Sequence, residues 1–474
     1  MPVKGAIMNK ELLEKLVNEG LETGADFSEI FYEDQKEKII SFSSSIINKC
    51  SINSIKGVGI RLAKGNEVYY GSTSNIKEEK LLKIINDLNK NFVGKRVMQN
   101  ITLKNCDSKK TNIQIEDNIE NLEKIKNKLY EYDKFARNLD TRVIQVNINV
   151  LTKNQKVTIA NSYGNLIKES RFLSRFVLSI IVKENNKNES ASFNFGAAKG
   201  LEIIDDAKIF EKIKETLETA IDKLNAKPCP GGEMPVVISN GFGGVLIHEA
   251  CGHAMEATTV SDGTSVLSDK LDKKIASDKV TIIDDGTLVN EWGTTFYDDE
   301  GNKTQKNILI EKGILKKFLI DEISTRVMEG KISGSGRRED FSFIPTSRMN
   351  NTYLASGNDT FEKMISSIKY GLYAKCMGGG IVNPVTGDFN FAVTSAYLIR
   401  NGKISEPVKG ASLIGNTLDI LKEIEMVGND LELSSGECGS ISGWVPVNVG
   451  QPTIKLGKIL VGGDSSDWKI IKTC

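Results

Sequence analysis

The chain holds only two histidines, and they stand five residues apart, His248 and His253 in GGVLIHEACGHAMEA. An ordinary helix cannot turn both rings to one point, since positions five apart differ by roughly 140° of rotation and positions four apart by only about 40°. If the rings meet, the helix must be deformed, either by a local widening to i→i+5 bonding or by ending at Gly252. An irregular turn is therefore expected over residues 249–253. The spacing also fits two core or capping histidines on an amphipathic helix that begins after GFGG, so the surroundings have to decide.

An acid follows the first histidine directly. Neutral imidazole is a favoured zinc ligand, and in the shorter HExxH pattern the intervening glutamate lies beside the water on the metal. Here Glu249 takes that place in HExxxH. A catalytic zinc commonly keeps three protein ligands and one open position. With no third histidine, the remaining ligand has to be Cys, Asp or Glu. Cys251 lies between the histidines, but its short side chain leaves by another helical face, so it reads as buried packing. Cys438, in SSGECGSISGWVPVNVGQP, sits among glycines in a segment expected to be a loop, where backbone freedom would let a thiolate approach a metal. Cys438 is the better candidate. Glu256 is the carboxylate alternative, with a supporting role behind a ligand or a solvent-facing one equally open.

At 474 residues the chain exceeds the length at which one core usually divides, so two domains are expected. The Pro/Gly-rich piece AKPCPGGEMP places the boundary near residue 228. Before it, helical periodicity runs over 9–24, 77–92, 116–136 and about 205–224. Between these helices, β-branched and aromatic residues alternate in SEIFYED, EKIISFSSSI, INSIKGVGIRLAKGNEVYYGSTS, TRVIQVNINVLTKNQKVTIANSYGN and the run Arg171 to Phe195, predicting antiparallel strands with a hairpin at Lys64 to Glu67. Beyond 228, glycines separate short strand-like runs such as VTIIDD, NILIEKGILKKFLI and TIKLGKILVGG. The expected class is α+β: an N-terminal helix and antiparallel-strand domain over 1–228, then a mainly antiparallel β domain over 229–474 that carries the histidine helix. Basic and acidic side chains balance at 62 each, which leaves no electrostatic footprint for nucleic acid. No membrane-length apolar run and no apolar leader are read, so a cytoplasmic location is expected. Seven scattered cysteines without CxxC spacing argue against a disulfide framework or a zinc ribbon.

Several of these stretches resemble the TldD/PmbA family of peptidases, and specifically its metal-bearing, TldD-like members. They are GGVLIHEACGHAMEA, VTIIDDGTLVNEWGTTFYDDEGNKTQKNILIEKGILKKFLID, GSGRREDFSFIPTSRMNNTYLASG, the segment from GGGIVNPVTGDF to MVGNDL, and GECGSISGWVPVNVGQPTIKLGKILVGG. The resemblance covers most of residues 240–463 and is weaker in the N-terminal half. It implies one zinc per chain held by His248, His253 and Cys438, with Glu249 as the acid/base that activates the water on the metal. It further implies a dimer, either of identical chains or with a PmbA-like paralogue, enclosing a chamber in which peptides or unfolded polypeptide segments are cut. Arg337 or Arg338 would supply an oxyanion donor or grip a substrate terminus, with a solvated charge pair as the plainer alternative. Two rival functions stand beside this one: a non-catalytic PmbA-like interaction subunit, and a metal-dependent amidase acting on small molecules.

Overall fold

The computed structural model describes residues 8–106 and 119–463. Its first half is one seven-stranded sheet with helices on a single face. Helix α1 (Lys10–Glu19) is capped by Asn9, whose side chain accepts from the Leu12 amide, and it leads into β1 (Phe27–Ser43), β2 (Ile46–Lys64) and β3 (Glu67–Thr73). The β2–β3 hairpin closes where Lys64 pairs with Glu67, with Gly65 at φ +59 in the turn, as the AKGNE signal predicts. Helix α2 (Glu78–Asn89), the short β4 (Lys104–Asn105) and helix α3 (Ile119–Leu139) follow. The expected start of α3 at 116 falls outside the described residues. Then come β5 (Val143–Asn161), β6 (Asn165–Glu184), β7 (Lys187–Ala197) and helix α4 (Lys208–Asn225). The strand order is β3–β2–β1–β5–β6, with β7 and β4 both on β6.

Two-residue alternation decides which face of this sheet meets what. Ile30, Ala160 and Leu166 pack under α1 and α2 with Leu13, Leu16, Leu81 and Ile85. Their neighbours Phe31, Ile159 and Ile167 point the other way and pack against Tyr297, Phe296 and Phe341 from the second half. The far end of the helical face holds Tyr132, Ile213 and Leu217 of α3 and α4 over Val150, Phe176 and Leu178. SEIFYED and EKIISF read as separate strands in the sequence, yet they form the single 17-residue β1. The polar middle that suggested a break is held on both sides, Gln35 pairing with Ile55 and with Gln155.

The seam between the halves is ionic as well as apolar. Arg61, fully buried, donates to Glu29 at 2.6 Å and to Glu300 at 2.7 Å. Arg338 donates to the other oxygen of Glu29 at 2.6 Å and lies over the Phe31 ring at 4.2 Å. Arg171 of β6 joins Glu169 and Asp299.

Beyond residue 226 the chain is strand-rich, and mixed α+β describes the whole. One sheet of eight strands is drawn from between residues 227 and 462; another of six runs in the order Ile314–Leu315, Lys306–Glu311, Ile282–Asp285, Asn351–Leu354, Gly443–Gln451, Glu432–Ser440. Most pairs are antiparallel, but Asn351–Leu354 lies parallel to Gly443–Gln451 and Gly232–Ile238 parallel to Tyr370–Val382. The histidine segment packs between these sheets, with Leu246, Ile247, Ala250 and Cys251 buried in one core with Val236, Ile282, Leu354 and Leu372. Among the described residues, no helix is long and apolar enough to cross a membrane.

Candidate metal centre

The helix carrying the histidines changes pitch three times within 15 residues: a 3₁₀ turn over Gly241–Gly244, an α segment over Val245–Ile247, a π turn over His248–Gly252 and another 3₁₀ turn over His253–Met255. The widening falls where the five-residue spacing demands it, and the two rings meet with centroids 5.2 Å apart at 83°. Glycine permits the close packing around the turn. A Cβ on Gly244 would lie about 2.5 Å from the Gly450 backbone, and one on Gly252 would lie 2.0 Å from Met349 Sδ. Carbonyls of the irregular turn accept from side-chain donors. Thr417 Oγ1 donates to the Ala250 carbonyl at 2.8 Å, Ser265 Oγ to that of Ala254 at 2.5 Å, and Thr259 Oγ1 to that of His253 at 3.2 Å.

Cys438 reaches this turn from the strand Glu432–Ser440, not from a loop. It pairs with Val445 across the hairpin and is buried with Val445 and Val447. The flanking glycines suggested a loop, but the hairpin places its turn beyond Ser440, with Gly443 at φ +82. Cys438 Sγ stands 3.3 Å from His253 Nε2, and one ligand atom from each of His248, His253 and Cys438 lies within 4.8 Å of the others. Glu249 is beside them, its Oε2 at 3.6 Å from His253 Nε2 and 28% of its side chain exposed. Glu256 is behind, its Oε2 at 3.0 Å from His253 Nδ1, so it braces a ring and does not join the three converging atoms. Cys251 is fully buried, and burial pushes its thiol up to about 12.

The donor set fits a zinc ion on its own chemistry. Burial alone would raise the Cys438 thiol, but His248 and His253 outweigh it and hold the group down to about 3, so the sulfur is a thiolate at neutral pH, the form a metal requires. Burial would lower His253, yet Glu256 and Cys438 hold it well above its ordinary value. His248 is 2% exposed, and its Nδ1 has no hydrogen-bond partner among the described residues. Two imidazoles and one thiolate make a set that suits zinc.

The two arginines lie elsewhere in the arrangement. Arg338 is held in the seam by Glu29, by the Asp299 carbonyl at 2.7 Å and by Tyr70. Arg337 is 5% exposed and donates to the Met349 carbonyl at 2.7 Å; burial and the nearby Arg348 and Arg171 push it down to about 10, although Asp299 and Asp284 act the other way. Neither guanidinium is open to a substrate in this chain, since both arginines are buried. Thr417 and Arg348 were given no role from the sequence; Thr417 meets Ala250, 167 residues away along the chain, and Arg348 meets Cys438, 90 away.

Comparison with known proteins agrees with this architecture. Sequence models of the PmbA/TldA metallopeptidase match in order, domain 1 over residues 28–91, the central domain over 109–224 and the C-terminal domain over 231–463. A Buchnera aphidicola protein named metalloprotease TldD homolog is 36% identical over 452 residues, covering 92% of this chain and 93% of its own. A Saccharolobus solfataricus protein named zinc metalloprotease TldD homolog is 27% identical over 455 residues, covering 95% and 99%. The crystal structure of TldE from Thermococcus kodakarensis superposes with a TM-score of 0.71 at 19% identity, over 96% of this chain and 99% of that one, a likeness of fold. The chain belongs to the PmbA/TldD metallopeptidase family.

Proposed function

We propose that this chain is a zinc-dependent peptidase, with one zinc held by His248, His253 and Cys438 and with Glu249 as acid/base. The observation that carries the reading is the convergence of the three ligand atoms within 4.8 Å beside a partly exposed carboxylate. When bound, zinc supplies Lewis acidity that polarises a peptide carbonyl and favours deprotonation of water. Glu249 takes the proton of the attacking water at its Oε atom as the oxygen bonds to the carbonyl carbon. It then passes that proton to the leaving nitrogen as the C–N bond breaks. Glu256 holds the His253 ring through Nδ1, which leaves Nε2 directed at Cys438.

The substrate class we propose is peptides or unfolded segments, bound through their backbones. The strand Glu432–Ser440 ladders with Gly443–Gln451 on one side and with no strand on the other among the described residues, and it runs to Cys438. Its start, with Phe193, Asn194, Phe242 and Tyr353, lines a cleft of about 1490 Å³. An edge with no strand partner that lines the cleft at its start supports pairing that does not read side chains, short of the Gly436 and Cys438 carbonyls that Trp292 and Arg348 occupy. The chamber-forming dimer, with a second copy or a PmbA-like chain, belongs to this proposal, as does a two-domain division near residue 228: the long sheet lies on one side of it and all the cradle residues on the other.

The test is zinc per chain by elemental analysis for wild type and Cys438→Ala, with hydrolysis of an unfolded polypeptide by wild type and Glu249→Ala. The reading requires near-stoichiometric zinc that is lost with Cys438, and hydrolysis that falls roughly 100- to 10,000-fold with Glu249 while zinc stays. Wild-type protein that resists zinc reconstitution would overturn it in favour of a non-catalytic subunit.

A further inference from the structure

His253 and Cys438 lie 185 residues apart in sequence, and no ladder joins the histidine turn to the strand that carries the cysteine. Arg348, through Glu256, bridges the two segments. Arg348 is fully buried, and one edge of its guanidinium is taken up by the Cys438 hairpin: Nη2 donates to the Cys438 carbonyl at 2.5 Å, and Nη1 to Ser442 Oγ at 2.9 Å and to the Gly443 carbonyl at 3.0 Å. Its other edge, Nε, faces Glu256 Oε1 at 3.7 Å. The second oxygen of Glu256 holds His253 Nδ1 at 3.0 Å. Neither Arg348 Nε nor Glu256 Oε1 has a hydrogen-bond partner among the described residues, so this pair of charges faces each other directly.

We propose that Arg348 is a positioning residue that sets the separation of His253 and Cys438, and so tunes the affinity and geometry of the metal cradle. The proposal rests on the zinc reading above. Its chemistry is that of a planar cation with donors on two edges in fixed directions. One edge grips the backbone of a ligand, while the other meets the carboxylate that orients a second ligand. A lysine keeps the charge but presents one flexible point of donors, and cannot hold three hairpin acceptors and a carboxylate together. The cation also faces the buried Glu256 carboxylate, so its removal would leave that anion uncompensated in a desolvated place.

The experiment measures zinc affinity by chelator competition for wild type, Arg348→Lys and Cys438→Ser, together with cobalt(II) spectra and the unfolding temperature of each metal-free protein. Arg348→Lys is expected to bind zinc about 10- to 100-fold more weakly. Its thiolate-to-cobalt charge-transfer band should shift or weaken, while Cys438→Ser loses that band. A folded Arg348→Lys with wild-type zinc affinity and cobalt spectrum overturns the proposal and leaves the zinc reading standing. A lowered metal-free unfolding temperature with unchanged affinity overturns it equally, since that marks a role in the fold alone. Wild-type protein that takes up neither zinc nor cobalt overturns the zinc reading and this one with it. If Arg348→Lys does not fold, Ser442→Ala, which deletes one acceptor of the guanidinium, takes its place. Weaker zinc binding there supports the proposal, and unchanged binding overturns it.

Discussion

Two clusters of buried charge in this chain are built on opposite plans. In the seam between the halves, Arg61 and Arg338 share Glu29, Arg61 also meets Glu300, and Arg171 meets Glu169 and Asp299, so cations and anions alternate and satisfy one another. In the cradle, three metal-ligating groups converge instead: two imidazoles and a thiolate turn one ligand atom each toward one place, and a carboxylate stands by with part of its surface exposed. The electrostatics follow the plans. The seam pairs arginines with carboxylates, whereas in the cradle Cys438 is pulled down by the histidines against the effect of burial and His253 is held up by Glu256 and Cys438. Buried charge that is paired binds segments together; buried ligand atoms that converge form a site.

If that distinction holds, breaking the seam should cost the fold and spare the metal. Arg61→Met leaves Glu29 and Glu300 buried with one fewer cation, and a loss of roughly 3–5 kcal/mol is expected in urea unfolding. Zinc per folded chain should stay at the wild-type value. A neutral effect on stability would show that the seam is not what joins the halves.

The cradle should behave the other way. Cys438→Ser should remove zinc and leave the far-ultraviolet circular dichroism of the sheets unchanged, because the apolar packing of Cys438 is confined to the small cluster with Val445 and Val447. For wild type, free zinc at a hundredfold excess over its dissociation constant should add about 2.7 kcal/mol to stability. Unfolding with and without chelator measures this increment, and Cys438→Ser should show none of it. An apo protein that lost its sheet signal would make the metal part of the fold and blur the contrast.

The contrast also explains what the sequence disclosed. The five-residue spacing of His248 and His253 is local, and it forced a distorted turn whether or not the rest of the fold was known. The hairpin at Gly65 and the alternation of Ile30 with Phe31 are local too, and were legible for the same reason. Cys438 was found by chemistry, as a thiol suited to a metal, but given a loop because glycines surround it; its strand is set by pairing with Val445 and by the buried column beside it. Arg338 could not be assigned from sequence, because its partner Glu29 lies 309 residues away. Arg348 was hidden likewise, with acceptors on a hairpin 90 residues or more distant.

A gentler probe of the seam uses pH. Glu33 is buried on the same face of β1 as Glu29 and Phe31; its oxygens accept from Gln155 Nε2 at 2.8 Å and from the Phe341 amide at 2.9 Å, and among the described residues no cation is bonded to it. Burial raises its carboxyl above the ordinary value of 4.5, against the lowering by Gln155, Lys153 and the Phe341 amide. An acid whose folded value is raised binds its proton more firmly in the fold than in the unfolded chain, so it costs stability as pH rises through the interval between 4.5 and the folded value, and the loss persists above it. Glu33→Gln cannot ionise. It keeps both contacts if the Gln155 amide flips to accept from the new amide, while the Phe341 N–H still has an oxygen. Unfolding free energies of variant and wild type, taken side by side from pH 4 upward, should therefore diverge in the variant's favour and then run parallel. Because other buried carboxylates titrate equally in both proteins, the difference isolates Glu33. A difference flat with pH would mean that this carboxylate, like Glu29 beside it, is compensated by the arginines of the seam.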